Sequence, residues 1–378
     1  MLTLSRVVDF VNPILYSLIM KKILLIVLVM AMAVTIGVMI GIILQSRREA
    51  TPPPVSDESV AALQGKQFVW GATVRPFVIR KPNEPFNRDS IDKQFKYVKD
   101  LFPVNGCVRA NIEGDPKIND ILVENAQKYN LQLYLILEEI KDFNPDINYE
   151  QKAADLAQKI VARYKGKVAY YQLSNELSGV VFSQPNEKGE TMDGGYGLKI
   201  DKNRYEHVKR YAIALSKAIR SLDPDAKIVI SGHWVLIKPI LQLINEGVSA
   251  DIIGWNWGTS LGEEAGSKNI DNYGLMDIPK MAKAAGKDFM IIEANRDDGS
   301  MNGKESEQAS YIKKLSQSAY NNPNISGYFH FILTDGIENQ PGSYLGLIKV
   351  KQDQNGSFVF GELKPSYNIL RNFAANNY

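Results

Sequence analysis

The sequence predicts an α/β fold, a (β/α)₈ barrel over residues 68–378, preceded by an amino-terminal transmembrane helix. Short apolar runs alternate with amphipathic, lysine-rich segments, which is the pattern of strand–helix units around a parallel sheet. The apolar runs number eight, and the length of the region fits such a barrel with insertions. An open doubly wound sheet is the rival, but Gly71-Ala-Thr-Val-Arg75 does not supply the glycine-rich phosphate loop expected after its first strand.

The eight apolar runs read as strands that are covered on both faces, as in a parallel sheet. They lie at residues 68–74, 107–112, 131–137, 168–174, 227–231, 251–257, 289–293 and 327–333. Helical periodicity follows at residues 90–101, 118–129, 149–164, 204–222, 237–246, 278–285, 305–321 and 365–375. Caps support several of these boundaries: Asp89-Ser90 precede the first helix, and Gly286 follows the sixth.

Two connections, 177–202 and 258–276, are longer than a barrel needs. Both follow the carboxyl ends of strands, where the binding pockets of such barrels lie. We therefore expect these two loops to stand over the pocket and to select the substrate.

Residues 23–44 contain no charged side chain, and as a helix they would be about 33 Å long, enough to cross a bilayer core. A buried core helix is disfavoured, because such helices are shorter and usually carry polar residues on one face. A cleavable signal peptide is the other alternative, since Lys21-Lys22 resemble a charged leader and Ala31-Met-Ala33 a cleavage site. The apolar run continues beyond that site, which favours an uncleaved membrane anchor.

The segments on either side of the anchor complete the domain organisation. Residues 1–22 would form a cytoplasmic segment, although Met20-Lys-Lys resembles a natural start of translation. Residues 45–67, with Thr51-Pro-Pro-Pro54, read as a linker or stalk to the catalytic barrel at 68–378. The flanking lysines and arginines nearly balance, so the expected extracytoplasmic, cell-surface location of the barrel rests on its function.

Composition excludes several classes of function. The net charge of +2 arises from 44 basic and 42 acidic residues scattered along the chain, which disfavours nucleic-acid binding. A single cysteine, Cys107, and three histidines far apart in sequence do not suggest a metal or redox centre. We therefore expect neither metal nor cofactor.

Two carboxylates end the fourth and seventh predicted strands. Glu176 follows the apolar run at 168–174, and Glu293 ends the run at 289–293. In a barrel these ends face each other across the mouth, where a pair about 5–5.5 Å apart can cleave a glycosidic bond with retention. Arg109, at the end of the second strand, would keep Glu293 ionised as the nucleophile, leaving Glu176 as the acid. Alone, Glu176 could equally be a carboxylate at a helix start.

Several motifs in the order of the predicted strands resemble those of clan A glycoside hydrolases. They are Gln-Leu-Ser-Asn-Glu-Leu at 172–177, Met-Ile-Ile-Glu-Ala-Asn at 290–295, Arg109, the sixth-strand run at 251–257 and the eighth-strand run at 327–335. The resemblance implies a cellulase-like retaining β-glycosidase with Glu176 as acid/base and Glu293 as nucleophile. It also implies that Asn175 binds the 2-hydroxyl of the sugar and that Arg109 lies beside the nucleophile.

The chain departs from the clan at three positions. Leu177 stands where a proline commonly follows the acid/base, Trp257 replaces a sixth-strand tyrosine, and Phe331 or His330 replaces a tryptophan floor. We expect Trp257 to point inward and to bind the sugar together with Phe331. His233 would form a further substrate wall, although a rim histidine beside a packed indole is an equal alternative.

The sequence thus predicts a membrane-anchored retaining glycoside hydrolase that cleaves a β-linked oligo- or polysaccharide. A carbohydrate-binding barrel without turnover is the alternative from another class, and the positions of the two glutamates distinguish it. A transglycosylase of envelope remodelling would need the same two carboxylates.

Overall fold

Eight parallel strands close into a barrel in the computed structural model, which describes residues 67–76, 86–137, 140, 146–183, 188–270, 273–337 and 341–377. The strands are β1 (Val69–Thr73), β2 (Cys107–Asn111), β3 (Gln132–Ile136), β4 (Tyr170–Gln172), β5 (Thr191–Gly195), β6 (Leu198–Asp201), β7 (Lys227–His233), β8 (Ile252–Trp257), β9 (Lys268–Ile270), β10 (Gly274–Met276), β11 (Asp288–Ala294), β12 (Gly327–His330), β13 (Ile348–Gln352) and β14 (Phe358–Leu363). The barrel consists of β1–β4, β7, β8, β11 and β12, each beside its neighbour in sequence, with β12 paired to β1. The predicted (β/α)₈ barrel is confirmed.

Helices follow the barrel strands, as the amphipathic segments predict. They are α1 (Arg88–Leu101), α2 (Pro116–Lys128), α3 (Tyr149–Leu156), α4 (Ala162–Tyr164), α5 (Leu177–Val180), α6 (Lys202–Leu222), α7 (Ile237–Asn245), α8 (Ile278–Ala284), α9 (Glu305–Asn321) and α10 (Pro365–Ala375). A π-helical turn, Ala157–Val161, joins α3 to α4. The first two helices begin two residues earlier than predicted, because Asn87 and Asp115 cap them and their first turns are polar.

The barrel interior is filled by alternate residues of its strands. This inner cluster comprises Cys107, Tyr134, Ile136, Tyr170, Val229, Ile252, Met290, Ile292 and Phe329. A larger apolar layer lies between the strands and the helices. Two glycines leave space for large side chains in the barrel interior. A Cβ on Gly71 would lie 2.3 Å from the Phe329 ring, and one on Gly254 would lie 2.8 Å from Ile292.

Three antiparallel hairpins, β5–β6, β9–β10 and β13–β14, decorate the barrel. The first two lie within the long connections at 177–202 and 258–276, where the sequence predicts only loops. Short exposed strands of this kind carry too few apolar residues to show a period.

The helices of the described residues include none that is long and apolar enough to cross a membrane. The predicted anchor at 23–44, the segment before it and the linker up to residue 66 lie outside the part of the chain that the structure describes. The barrel belongs to a compact unit that spans Glu58–Tyr378.

Candidate active site

A cavity of about 690 Å³ opens at the carboxyl ends of the barrel strands. Its walls come from the ends of β1, β2, β3, β4 and β11 and from the segment after β12. The lining residues are Thr73, Val74, Arg75, Pro76, Arg109, Asn111, Glu113, Ile136, Asn175, Glu293, Phe331, Gly336, Ile337, Gly342, Ser343 and Leu345. This end of a barrel is where catalytic residues of the fold are found.

Glu293 reaches the cavity through a bulge in β11. Ile291 pairs with Trp255 of β8 and Glu293 pairs with Asn256, so Ile292 is an extra residue between them. Simple alternation from Ile292, which lies in the barrel interior, would turn Glu293 outward. The bulge places both side chains on the inner face, a known use of bulges near active sites.

Arg109 is fully buried and holds Glu293 in place. Its Nη1 donates to Glu293 Oε1 at 2.7 Å and to Thr73 Oγ1 at 3.3 Å. Its Nε and Nη2 donate to Gln172 Oε1, and Nη2 also reaches Asn175 Oδ1 at 3.2 Å. A guanidinium bonded on every side is a fixed positive charge beside the carboxylate.

Two opposing effects set the protonation of Glu293. Burial raises the pKa of its carboxyl group, and the negative charge of Glu176 adds to the rise. Arg109 lowers the pKa by its charge and its hydrogen bond, and Arg75 lowers it further. The net direction is upward, because removal from water outweighs the two cations.

Glu176 sits at the turn between β4 and α5. Its backbone is left-handed, with φ 47° and ψ 44°, a conformation uncommon for residues other than glycine. The backbone N–H donates to Ser231 Oγ at 3.0 Å, and Oε1 accepts from Asn256 Nδ2 at 2.8 Å. The side chain is 41% exposed, so the carboxyl group is accessible to solvent. Glu176 is not among the described residues that line the cavity, although its neighbour Asn175 is. An uncommon backbone conformation held by two partners beside a cavity residue is typical of a functional position.

Asn256 connects the two carboxylates. It is the direct neighbour of Glu293 in the register between β8 and β11, and its side-chain amide binds Glu176. Asn175 makes a second connection, because it lines the cavity beside Glu176 in sequence and accepts a hydrogen bond from Arg109. The structure therefore brings Glu176, Glu293, Arg109 and Asn175 together at one site.

Of the remaining residues that the sequence predicts for the site, one lines the cavity and the others do not. Phe331 lines the cavity, whereas His330 is fully buried behind it, where burial lowers its pKa to about 3 and keeps the ring neutral. His233 lies beside Glu176, with Nδ1 3.9 Å from Glu176 Oε2 and 3.5 Å from Ser178 Oγ. It is not among the described residues that line the cavity.

The prediction that Trp257 points inward is wrong. Ile252 faces the interior, so Gly254 and Asn256 share its face of β8 while Trp255 and Trp257 face the helices. Trp257 is 2% exposed, and its indole N–H donates to Gly262 O at 2.9 Å. Its place between strand and helices gives it no contact with the cavity.

The long connections at 177–202 and 258–276 contribute no described residue to the cavity walls. The segment after β12 supplies six lining residues instead. Phe331 among them was predicted from the sequence, whereas the other five were not. Sequence reasoning also missed Arg75 and Asn256, for which the available signal was a polar residue at or just beyond a strand end.

No cluster of His, Cys, Asp or Glu suited to a metal ion occurs within the described ranges.

No protein-family model matches the sequence, and a search of curated proteins finds no relative. Solved structures are similar in fold over most of the chain. A β-glucosidase from Pyrococcus furiosus is 12% identical with a TM-score of 0.55, over 82% of this chain and 96% of that chain. Xylanase 10B from Thermotoga petrophila is 15% identical with a TM-score of 0.51, over 86% and 99%. A GH5_18 protein from Streptomyces cattleya, in complex with Manβ1-4GlcNAc, is 11% identical with a TM-score of 0.53, over 77% and 76%.

At these identities the similarity establishes the fold. The resemblance to clan A glycoside hydrolases that the motifs predict is confirmed at this level.

Proposed function

We propose that the chain is a retaining glycoside hydrolase of β-linked oligo- or polysaccharides, with Glu293 as nucleophile and Glu176 as acid/base. The observation that carries the proposal is the linked arrangement of the two carboxylates. Glu293 is bound by the buried Arg109, while the more exposed Glu176 is bound by Asn256, the neighbour of Glu293 in the sheet. Two carboxylates in such different surroundings fit two different roles.

The first step of the reaction forms a covalent intermediate. Glu293 attacks the anomeric carbon while the glycosidic C–O bond breaks, and Glu176 gives its proton to the departing oxygen. In the second step Glu176, now ionised, takes a proton from water. The water oxygen attacks the anomeric carbon, the bond to Glu293 breaks, and the sugar leaves with its original configuration.

Variants of the two glutamates test the assignment. Glu293→Gln is expected to abolish turnover, because an amide cannot attack the anomeric carbon. Glu176→Ala is expected to slow substrates with poor leaving groups by roughly 10²–10⁴-fold, while activated aryl glycosides lose far less in the first step. The measurement is kcat/KM across an aryl β-glycoside series, followed by defined oligosaccharides.

The matched control is Glu263→Gln, a carboxylate 43% exposed and paired with Lys314 outside the cavity, which is expected to leave activity unchanged. Proton NMR of the first product should show the β-anomer. Full activity of both active-site variants would contradict the assignment. Binding of oligosaccharides without any turnover in the wild type would instead identify a carbohydrate-binding barrel.

We further propose that residues 23–44 anchor the protein in a membrane with the barrel on the extracytoplasmic side. The support is the uncharged apolar run followed by the proline-containing segment at 45–67, which is long enough to hold a catalytic domain away from the bilayer. A polysaccharide hydrolase meets its substrate outside the cytoplasm, which gives the orientation.

A further inference from the structure

Arg75 lies at the cavity mouth, directly after β1, and its main chain is fixed there. The backbone N–H donates to Gln94 Oε1 at 3.1 Å, and the backbone carbonyl accepts from Gln94 Nε2 at 3.0 Å. Gln94 is 1% exposed within α1, so both bonds come from a side chain that packing holds in place. The side chain of Arg75 therefore leaves a rigid point of the scaffold.

The guanidinium of Arg75 packs over a second cavity residue. Its Cζ lies 5.4 Å from the centre of the Phe331 ring, within the range of a cation–π contact. Arg75 and Phe331 both line the cavity that contains Glu293. The aromatic ring limits the orientations of the guanidinium and leaves the edge of its fork available to a ligand.

Arg75 retains an unneutralised charge. In the described part of the chain it forms no ion pair, and the carboxylate whose charge acts on it is Glu293. That carboxylate already has its partner, because Glu293 Oε1 accepts from the buried Arg109 at 2.7 Å. Arg109 is thus the cation that binds the proposed nucleophile. Arg75 is an exposed residue, so its guanidinium is a second cation in the same cavity and is accessible to a ligand.

We propose that Arg75 binds an anionic substituent, a carboxylate or a sulfate, on a sugar next to the reacting one. The inference rests on the proposed function and gives the substrate class as an acidic β-linked glycan. The planar guanidinium donates two parallel hydrogen bonds to a carboxylate or sulfate, which a neutral hydroxyl cannot accept in the same way. The ring of Phe331 would then lie beside the sugar that carries the acidic group.

A matched pair of substrates tests the proposal. Oligosaccharides with β-linked uronic acids are compared with their carboxyl-reduced forms, which keep the linkage and lose only the charge. Arg75→Gln is expected to lower kcat/KM on the acidic form by roughly 10- to 100-fold, because a charge-assisted pair is lost. Arg75 also lowers the pKa of Glu293, so the variant can slow both forms, and the deciding quantity is the ratio of the two losses. The loss should be larger on the acidic form, and Arg75→Lys should recover part of that difference.

Sulfated oligosaccharides and their desulfated forms make the second arm, which separates a sulfate ligand from a carboxylate ligand. Equal losses by Arg75→Gln on charged and neutral members of both pairs would overturn the proposal, since Arg75 would then act on Glu293. No loss on either pair would also overturn it.

The outcome for Arg75 is separable from the outcome for the catalytic pair. Glu293→Gln should remove turnover of charged and neutral substrates alike, whatever the role of Arg75. If the wild type cleaves neither pair, the proposed hydrolysis fails. Calorimetry of the same oligosaccharides then decides the inference, which stands if Arg75→Gln weakens only the charged ligands and falls if it does not.

Discussion

At the residue scale, the surroundings of Glu293 have two opposing effects on its carboxyl group. Burial creates the dry cavity in which electrostatic interactions are strong, yet it favours the neutral acid over the carboxylate that a nucleophile requires. Arg109 offsets the burial in part, through a 2.7 Å bond from its Nη1. The rise in pKa that remains has a direct consequence for activity.

The acid limb of the pH profile should therefore lie above the usual glutamate range. As the proposed nucleophile, Glu293 must be ionised, and its pKa is raised, so activity should fall as the pH drops through that raised value. The measurement is kcat/KM of an activated aryl glycoside against pH. Arg109→Gln removes the opposing charge and should move this limb to higher pH, whereas Arg109→Lys should move it less. A limb that stays in place in Arg109→Gln would show that another group controls it.

The site residues that sequence reasoning could find were those marked by position in the barrel. Glu176 and Glu293 lie at the ends of apolar runs, and Arg109 lies in another, so their meeting at the mouth follows from counting strands. Asn256 was missed and Trp257 misplaced for one reason. In a strand buried on both faces, apolar side chains fill the inner and the outer face alike, so the one polar residue of Trp255-Asn-Trp257 was the available signal. The interior packing around Gly254 sets which face points inward.

At the scale of elements, the cavity wall after β12 depends on a buried ion pair. Lys364, just before α10, is 1% exposed and donates to Asp335 Oδ1 at 2.6 Å, Ser300 Oγ at 2.7 Å and Tyr344 O at 3.1 Å. Asp335 also accepts from Gly346 N–H at 2.9 Å. One cation thus joins the segments after β11 and after β12 to the start of the last helix.

Lys364→Met should loosen this wall. It leaves Asp335 buried without its cation, which should cost about 3–5 kcal/mol of unfolding free energy. If the proposed function holds, KM should rise more than kcat falls, since this wall lines the cavity and the two glutamates are held by other bonds. Urea unfolding and steady-state kinetics measure both effects, and a second change, Asp335→Asn, should recover part of the stability.

The control is Lys349→Met, whose partly exposed pair with Glu305 is worth at most about 1 kcal/mol. Equal losses in both variants would contradict the role of the buried pair.

The hairpins and the β11 bulge show why elements beyond the barrel were not predictable. The barrel strands lie in apolar runs because they are covered on both faces, whereas β5–β6 and β9–β10 contain few buried residues. A bulge depends on pairing with a neighbouring strand, and pairing is set by tertiary contacts rather than by the sequence of one strand.

At the scale of the whole molecule, the closed barrel and every described residue of the candidate site belong to the unit Glu58–Tyr378. The order of strands around the barrel is their order along the chain, so no barrel strand is contributed from outside residues 69–330. The residues of the candidate site are thereby separate in sequence from the apolar run at 23–44.

Deletion of residues 1–44 should therefore change where the protein is found in the cell without changing its proposed activity. The shortened protein is expected to keep the kcat/KM and the melting temperature of the full chain, because each barrel strand and each lining residue of the cavity is retained. It should move from the membrane fraction to the supernatant, because an apolar helix of this length binds a bilayer strongly.

Protease added to intact cells should digest the barrel of the full-length protein, whereas a cytoplasmic marker should survive. A full-length chain already found in the supernatant would remove the proposed anchor. A shortened chain that folds but has lost turnover would show that the first segment contributes to the active site.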